Sequence, residues 1–252
     1  MGIAIVTGAQ RGMGKAIALA LADADFDVAV VDLEVTPALK EVASQIEAKG
    51  QKSVALSCNI ADLSAHDKML QAVDAALGPA TTLINNAGVS VKSRGDLLDV
   101  TPESYDHCLN INTRGTFFLT QAFARRVRDT ITPCHRSIVT ITSANATAVS
   151  IARGEYCISK AGASMMSKLF AARLSNEDIG VYEIQPGFID TEMVAPSKAR
   201  YDAQIENGLT VIKRFGTPEE VGRIAVTLAT GLLPYTSGQA ILAEGGLLTV
   251  RY

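Results

Sequence analysis

The sequence has no tryptophan and only four cysteines and three histidines in 252 residues. Cys58, Cys108, Cys134 and Cys157 stand far apart and form no CxxC pair, which argues against a redox dithiol or a zinc site; they read as small, reduced core residues. His66, His107 and His135 also lack metal-ligand spacing, so no metal is expected. An excess of one charge is missing too. The 23 basic and 26 acidic residues are mixed along the chain, net −3, and no basic block stands ready for a nucleic acid or an anionic membrane. No apolar run approaches the ~18 residues of a membrane span, and residues 1–6 carry neither a basic region nor a cleavage site. Gly2 does not open a myristoylation signal, because Val6 stands where Ser or Thr is needed. These absences predict a cytoplasmic protein that handles a small neutral or weakly charged molecule.

What is present is apolar sequence, 48% of the chain, spread evenly and uninterrupted by any Pro/Ser-rich linker, so residues 1–252 read as one domain. Short β-branched runs at 3–6, 28–31, 53–56, 82–84, 137–141, 181–184 and 240–242 alternate with longer helical stretches. They hardly alternate apolar with polar residues, which predicts strands covered on both faces, as in a parallel sheet packed between helices. Thr36-Pro37, Thr101-Pro102 and Thr217-Pro218 mark helix starts, with Thr as cap and Pro in the first turn; Glu220 completes a possible capping box with Thr217. The stretch 188–215 is too long and too mixed for a plain connection and reads as a substrate lid.

After the first run comes Thr7-Gly8-Ala9-Gln10-Arg11-Gly12-Met13-Gly14, then a helical stretch at 15–22. Glycines in this GxxxGxG rhythm permit a tight turn, let backbone N–H groups approach a pyrophosphate and bring the helix close to the strand. The helix N-terminus adds partial positive charge. Three glycines alone also make a plain turn. Asp32 strengthens the phosphate reading, because it closes the second strand eighteen residues after Gly14, where a dinucleotide fold places its ribose-binding carboxylate. A carboxylate there repels the 2′-phosphate of NADP, and Leu33 follows it in place of a cation, so NAD is favoured. Arg11 keeps NADP as the lesser alternative, since a guanidinium in the glycine loop can neutralise a 2′-phosphate. Asn85-Asn86-Ala87-Gly88 closes the fourth strand, either at the ligand-binding carboxyl edge or as a polar turn.

Tyr156 and Lys160 form YxxxK, a spacing that puts both side chains on one helix face, where the ammonium is expected to lower the phenol's pKa. Taken alone, the pair also fits a surface helix. Ser143 ends the fifth strand thirteen residues earlier, and strand end and helix can bring hydroxyl and phenol to one crevice. Asn112 sits in an apolar helical region among Leu109, Ile111, Phe117 and Phe118, as a buried cap or a catalytic relay.

The glycine loop at 7–14, Asn85 to Gly88, Asn112, Ser143, Tyr156/Lys160 and Pro186-Gly187 follow one another as in the short-chain dehydrogenase/reductase family, which the chain resembles over essentially its whole length. The resemblance implies an α/β fold: a single doubly wound Rossmann domain, with a seven-stranded parallel sheet of order 3-2-1-4-5-6-7 and helices on both faces. It implies a catalytic tetrad of Asn112, Ser143, Tyr156 and Lys160. Thr191 and the Ile189 backbone, beyond Pro186-Gly187, would hold the nicotinamide carboxamide. Gly8, Arg11, Gly12, Met13 and Gly14, then Asp32, Asn59 and Ile60, then Asn86, Ala87 and Gly88 would line the rest of the cofactor groove. Asn59 departs from the family's usual Asp at the adenine, and Glu244 replaces the usual Asp before Gly245-Gly246.

The same resemblance implies a homotetramer built on the helices carrying Asn112 and Tyr156. A helix at 104–128 with Phe117, Phe118 and Phe123 is compatible with that interface and equally with an intramolecular core. The expected function is an NAD(P)-dependent oxidoreductase that interconverts a secondary alcohol and a ketone by hydride transfer. Tyr156 serves as acid/base, Ser143 orients the oxygen, and Lys160 and Asn112 pass protons to solvent. A catalytically idle NAD-binding regulator on the same fold is the alternative from another class, and an NADPH-dependent 3-oxoacyl thioester reductase is the alternative within the enzyme class. The substrate crevice is expected between 144–155 and the lid, with Val149, Ile151, Phe188 and Met193 as apolar lining and Arg153 or Glu155 as polar. A small polar alcohol or ketone is favoured.

Overall fold

A computed structural model describes residues 2–250; residues 1, 251 and 252, the outermost of the expected domain, lie outside the described residues. β1 (Ile3–Thr7), β2 (Asp27–Asp32) and β3 (Ser53–Ser57) form one half of a parallel sheet, linked by α1 (Gly12–Asp23) and α2 (Pro37–Glu47). α3 (His66–Ala76) leads across to β4 (Thr82–Asn85). α4 (Pro102–Leu109) and α5 (Thr116–Val127) precede β5 (Arg136–Ile141), and α6 (Gly154–Leu174) leads to β6 (Ile179–Pro186). α7 (Lys198–Glu206) and α8 (Pro218–Ala229) come before the edge strand β7 (Ala240–Ala243). The strand order is 3-2-1-4-5-6-7 with every pair parallel, as the resemblance implies.

The strands form where β-branched residues can be buried on both sides. Ala4, Val6, Val28 and Val30 face a core shared with α1, α2 and α8. Their neighbours Ile5, Ala29 and Val31 face the opposite core, shared with α3, α5 and α6. Successive side chains of a strand point to opposite faces, so uninterrupted apolar runs are what a two-sided sheet demands. Each fully buried Val or Ile contributes roughly 1.5–3 kcal/mol, so truncation of Val30 to Ala opens a cavity in the layer beneath α1. All three Thr-Pro starts are realised: Thr36 accepts from Leu39 N, Thr101 from Ser104 N, and Thr217 forms a full capping box with Glu220.

The order of strands turns back between β1 and β4, and a crevice opens at their carboxyl ends. The helix expected at 104–128 is present, helical without a gap from Pro102 to Val127, but it contains a wider turn. Between α4 and α5 the chain runs as a π-helix, Asn110–Gly115, in which Thr116 Oγ1 donates to Ile111 O five residues back. Gly115 sits so close to Ile60 that a Cβ there would overlap the Ile60 carbonyl, so the wide turn accommodates a backbone contact as well as Asn112. Phe123 is fully buried in the core and Phe117 packs on Phe170, whereas Phe118 points outward. Segment 188–215 contains a short 3-10 turn, Ala195–Ser197, and α7.

Candidate active site

The groove starts from the glycine loop. Gly8 (φ +64°) and Gly12 (φ +54°) occupy left-handed backbone that disfavours a side chain, and a Cβ at Gly14 would overlap the Gly8 carbonyl oxygen. The loop is fastened from across the switch point. Thr7 Oγ1 accepts from Asn86 N at 3.1 Å and Ala87 N at 3.0 Å, while Asn86 Nδ2 donates to Thr7 O at 2.9 Å and Gly8 O at 3.0 Å. Asn86 thus shapes the loop as part of its scaffold. Thr7 was not among the expected site residues; its only signal in the sequence is a hydroxyl closing an otherwise apolar strand.

A cavity of ≈ 500 Å³ runs along this loop, a volume suited to a cofactor. Arg11, Met13, Asp32, Asn59 and Ile60 line one side, Thr191 and Met193 the other, with Ala87 and Gly88 at the base. Asp32 Oδ2 accepts from Gln10 N at 3.1 Å and Oδ1 from Leu33 N at 2.8 Å, which fixes the carboxylate at the rim. Asn59 Oδ1 is used within its own turn, accepting from Ala61 N at 3.0 Å, and its amide group can still donate. Arg11 is not free: its Nη1 meets Glu192 Oε2 at 2.8 Å, an exposed pair across the groove. Pro186, Gly187 and Ile189 do not line this cavity. Gly187 lies against the Glu244 backbone and the Ile189 side chain packs into the core.

None of the four expected catalytic residues lines this cavity itself, but Asn112 and Lys160 lie beside Gly88, which does. A Cβ placed on Gly88 would lie 3.1 Å from Asn112 Oδ1 and 3.3 Å from Lys160 Nζ, which ties Asn112 and Lys160 to the cofactor cavity. Lys160, buried, donates from Nζ to Ile141 O at 3.1 Å and sits 5.8 Å from the Tyr156 ring centre. Ser143 lies close enough to Tyr156 for its hydroxyl to favour the ionised phenol, and Ser143 Oγ accepts from Asn145 N at 3.1 Å. Asn112 is fully engaged. Its Oδ1 accepts from Val89 N at 2.8 Å, and Nδ2 donates to Val89 O and to Ser159 Oγ, both at 2.9 Å.

Burial dominates the electrostatics. It lowers the Lys160 ammonium to about 8, opposed by the charge of the buried Glu183. The Tyr156 phenol is pushed above its ordinary value, again by burial, while the Ser143 hydroxyl and the Arg153 guanidinium act in the opposite direction. The sequence predicts a phenol lowered by Lys160; here the phenol is instead raised, because desolvation outweighs the lowering by Ser143 and Arg153, and Lys160 is not among the groups that shift it. Glu183 is a second residue that the sequence reading missed. It is 1% exposed and accepts from Thr142 Oγ1 at 2.5 Å, Ser164 Oγ at 2.8 Å and Gln185 Nε2 at 2.8 Å. A glutamate inside a strand flanked by apolar residues was the available signal. Glu155 does not line the substrate crevice as expected; it is buried and accepts from Ser104 Oγ at 2.6 Å. Arg153 does lie beside Tyr156, and Val149, Ile151 and Met193 are exposed.

A glycine-loop groove at the carboxyl edge of a parallel sheet thus lies near a buried ammonium and a phenol. The family model described as enoyl-(acyl carrier protein) reductase matches residues 8–248. The chain belongs to the short-chain dehydrogenase/reductase family. It is similar to versicolorin reductase 1 of Aspergillus parasiticus, 30% identical, with 97% of this chain and 95% of that protein covered. Among solved structures it resembles a 3-oxoacyl-[acyl-carrier protein] reductase from Brucella melitensis in complex with NAD, at TM-score 0.96 and 40% identity, covering 100% of this chain and 98% of that one. A 29% identical structure from Agrobacterium tumefaciens, TM-score 0.86, covers 99% of this chain and 97% of that one and has NADP bound. As a member of the family, the chain is an NAD(P)-dependent oxidoreductase. No helix among the described residues is long and apolar enough to cross a membrane.

Proposed function

We propose that this short-chain dehydrogenase/reductase interconverts a secondary alcohol and a ketone, with NAD as the preferred cofactor and Tyr156 as general acid and base. The observation that carries the proposal is the placement of Lys160 between the Tyr156 ring, 5.8 Å away, and Gly88 of the cofactor cavity, with Ser143 beside the phenol. The donor set fits a dinucleotide. The loop at Gly8, Gly12 and Gly14 leaves room for a pyrophosphate, and Asp32 stands ready for ribose hydroxyls. Asn59 and Ile60 would meet the adenine, Asn86 to Gly88 the adjoining ribose, and Thr191 with the Ile189 backbone beyond Pro186-Gly187 the carboxamide. NAD is favoured over NADP because a 2′-phosphate would meet the Asp32 charge, and Arg11, the nearby cation, is already paired with Glu192.

Bound nicotinamide supplies or accepts the hydride at the substrate carbon. In ketone reduction Tyr156 Oη gives its proton to the carbonyl oxygen, which Ser143 Oγ orients; in alcohol oxidation Tyr156 Oη takes the proton back. A phenol held neutral by burial suits the donor role near pH 7. Lys160 stabilises the phenolate left behind, and Asn112 holds Val89 and Ser159 so that the loop after β4 and the helix α6 keep their spacing. Segment 188–215 serves as the lid of a single cofactor-binding and catalytic domain, and the enzyme works as a cytoplasmic homotetramer. Tyr156→Phe removes one oxygen and little volume. It should leave NAD affinity intact and lower turnover by about two to four orders of magnitude, measured by reduced-cofactor absorbance over a panel of alcohols, ketones and 3-oxoacyl thioesters. Retained turnover in that variant overturns the assignment.

A further inference from the structure

Arg153 is a cation without a counter-ion beside the reactive phenol. It is half-buried at the start of α6, and its guanidinium carbon lies 5.3 Å from the centre of the Tyr156 ring. Nη2 donates to Asn145 Oδ1 at 2.7 Å and Nε faces Ser150 Oγ at 3.5 Å, whereas Nη1 has no acceptor among the described residues. Arg11, Arg126, Arg173 and Arg214 are each paired with a carboxylate. No carboxylate of the described residues comes within 4.0 Å of Arg153. Glu155, two residues on, turns inward to Ser104. The turn Leu97–Asp99 packs against Ile151–Arg153, yet Asp96 spends its carboxylate on Leu98 N at 2.9 Å.

A guanidinium is a planar fork built to grip a carboxylate through two parallel N–H groups. Here one edge of the fork is fixed by neutral amide and hydroxyl oxygens and its carbon sits over the Tyr156 ring, while Nη1 is left without an acceptor among the described residues. Its charge is partly removed from water, and the N-terminal end of a 21-residue helix adds to the positive potential. An anion arriving with the substrate would satisfy both the open donor and the unbalanced charge. The guanidinium lies over the Tyr156 ring, 5.3 Å from its centre, so a short oxo acid whose carbonyl oxygen met the phenol would hold its carboxylate near Arg153.

We propose that Arg153 binds an acid group of the substrate, and that the enzyme acts on oxo acids and hydroxy acids, with the carboxylate alpha or beta to the reacting carbon, in preference to neutral ketones and alcohols. This inference rests on the reading of Tyr156 as the proton donor.

The test compares matched pairs, pyruvate with methyl pyruvate and acetoacetate with methyl acetoacetate, by kcat/KM on the full-length enzyme with NADH. The acids are expected to be preferred at least tenfold over their esters. Arg153→Gln, which keeps a donor for Asn145, is expected to collapse that ratio at least tenfold through KM for the acid, and Arg153→Lys to restore part of it. The Lys variant also carries the test if the Gln variant folds poorly. A wild-type enzyme that turns over the esters as well as the acids, or an acid preference that survives in Arg153→Gln and Arg153→Lys alike, overturns the proposal while leaving the oxidoreductase reading intact. If neither acids nor esters nor any member of the wider alcohol and ketone panel is turned over, the reading of the active site fails, and this inference with it.

Discussion

Lys160→Met should stabilise the fold while destroying activity, because the ammonium is buried at a free-energy cost that only catalysis justifies. Lys160 is 6% exposed, and burial takes its proton affinity from 10.5 down to about 8. Each tenfold change in that affinity is ~1.4 kcal/mol, so the charged form is disfavoured in the folded state by about 3 kcal/mol. Below pH 8 the lysine is protonated in both folded and unfolded chains, and the folded state carries the whole penalty. As pH rises from about 8 to 10.5 the folded protein releases the proton while the unfolded chain keeps it, so stability rises; above 10.5 nothing of the penalty remains. Methionine fills a similar volume without charge, but it leaves the Ile141 carbonyl without its 3.1 Å donor, which costs back about 1 kcal/mol. The net gain at pH 7 is then about 2 kcal/mol, or about 4–8 °C in Tm for a chain of this size. Urea or thermal unfolding of both proteins across this pH range measures it, and taking the difference cancels the other titrating groups. A variant less stable than the parent at pH 7, or a difference that does not shrink between pH 8 and 10.5, refutes the reasoning.

Asp32→Ala removes the charge that opposes a 2′-phosphate, a repulsion of about 1–4 kcal/mol at contact distance. The ratio of kcat/KM for NADP over NAD should therefore rise about tenfold or more, and an unchanged ratio would show that Asp32 does not face the ribose. Glu183→Gln preserves shape but withdraws the negative charge that raises the Lys160 proton affinity, so the alkaline limb of the pH–rate profile should move to lower pH by about one unit. A profile that stays in place would show that Glu183 serves packing alone.

The seven strands and the Thr-Pro helix starts are legible in the chain because their causes are local. A β-branched run such as 28–31 must be buried on both sides, and a Thr-Pro pair caps whatever helix follows it. The residues expected at the site follow strands that stand side by side, β1, β4 and β5, so their placement near one another follows from the strand order. What escapes the sequence is every feature decided by a distant partner. The turn of π-helix at Asn110–Gly115 places Gly115 against the Ile60 backbone, a contact between segments far apart in sequence. Arg11 reads as a free phosphate ligand until Glu192, 181 residues away, is seen beside it. Glu155 looks like a polar group on a crevice wall, and only Ser104 reveals that it points inward. Tyr156 next to Lys160 suggests a lowered phenol, yet the balance is set by desolvation, a property of the surrounding fold.

These buried polar residues share a geometric consequence. Along the stretch of α6 that carries the phenol, Glu155 bonds Ser104 of α4, and Ser159 is held by Asn112 and Thr113 of the π-helical turn. Lys160 bonds the end of β5, and Ser164 bonds Glu183 of β6. Apolar packing is non-directional and tolerates small rotations of a helix, and this helix lines much of its inner side with small residues such as Ala163, Ser164 and Ser167. Hydrogen bonds to four different elements do not tolerate them, because each loses its geometry when the helix turns or slides. The helix is therefore pinned in rotation and in translation around Tyr156, and a displacement of about 1 Å at such a site is enough to cost about a hundredfold in rate. On this view the charge buried at Lys160 weakens the fold and, together with the hydrogen-bonded Glu183, positions the phenol through the same contacts. Stabilising substitutions at residues 155–164 should accordingly come with losses in turnover, while those in the apolar layers under α1 and α8 should not.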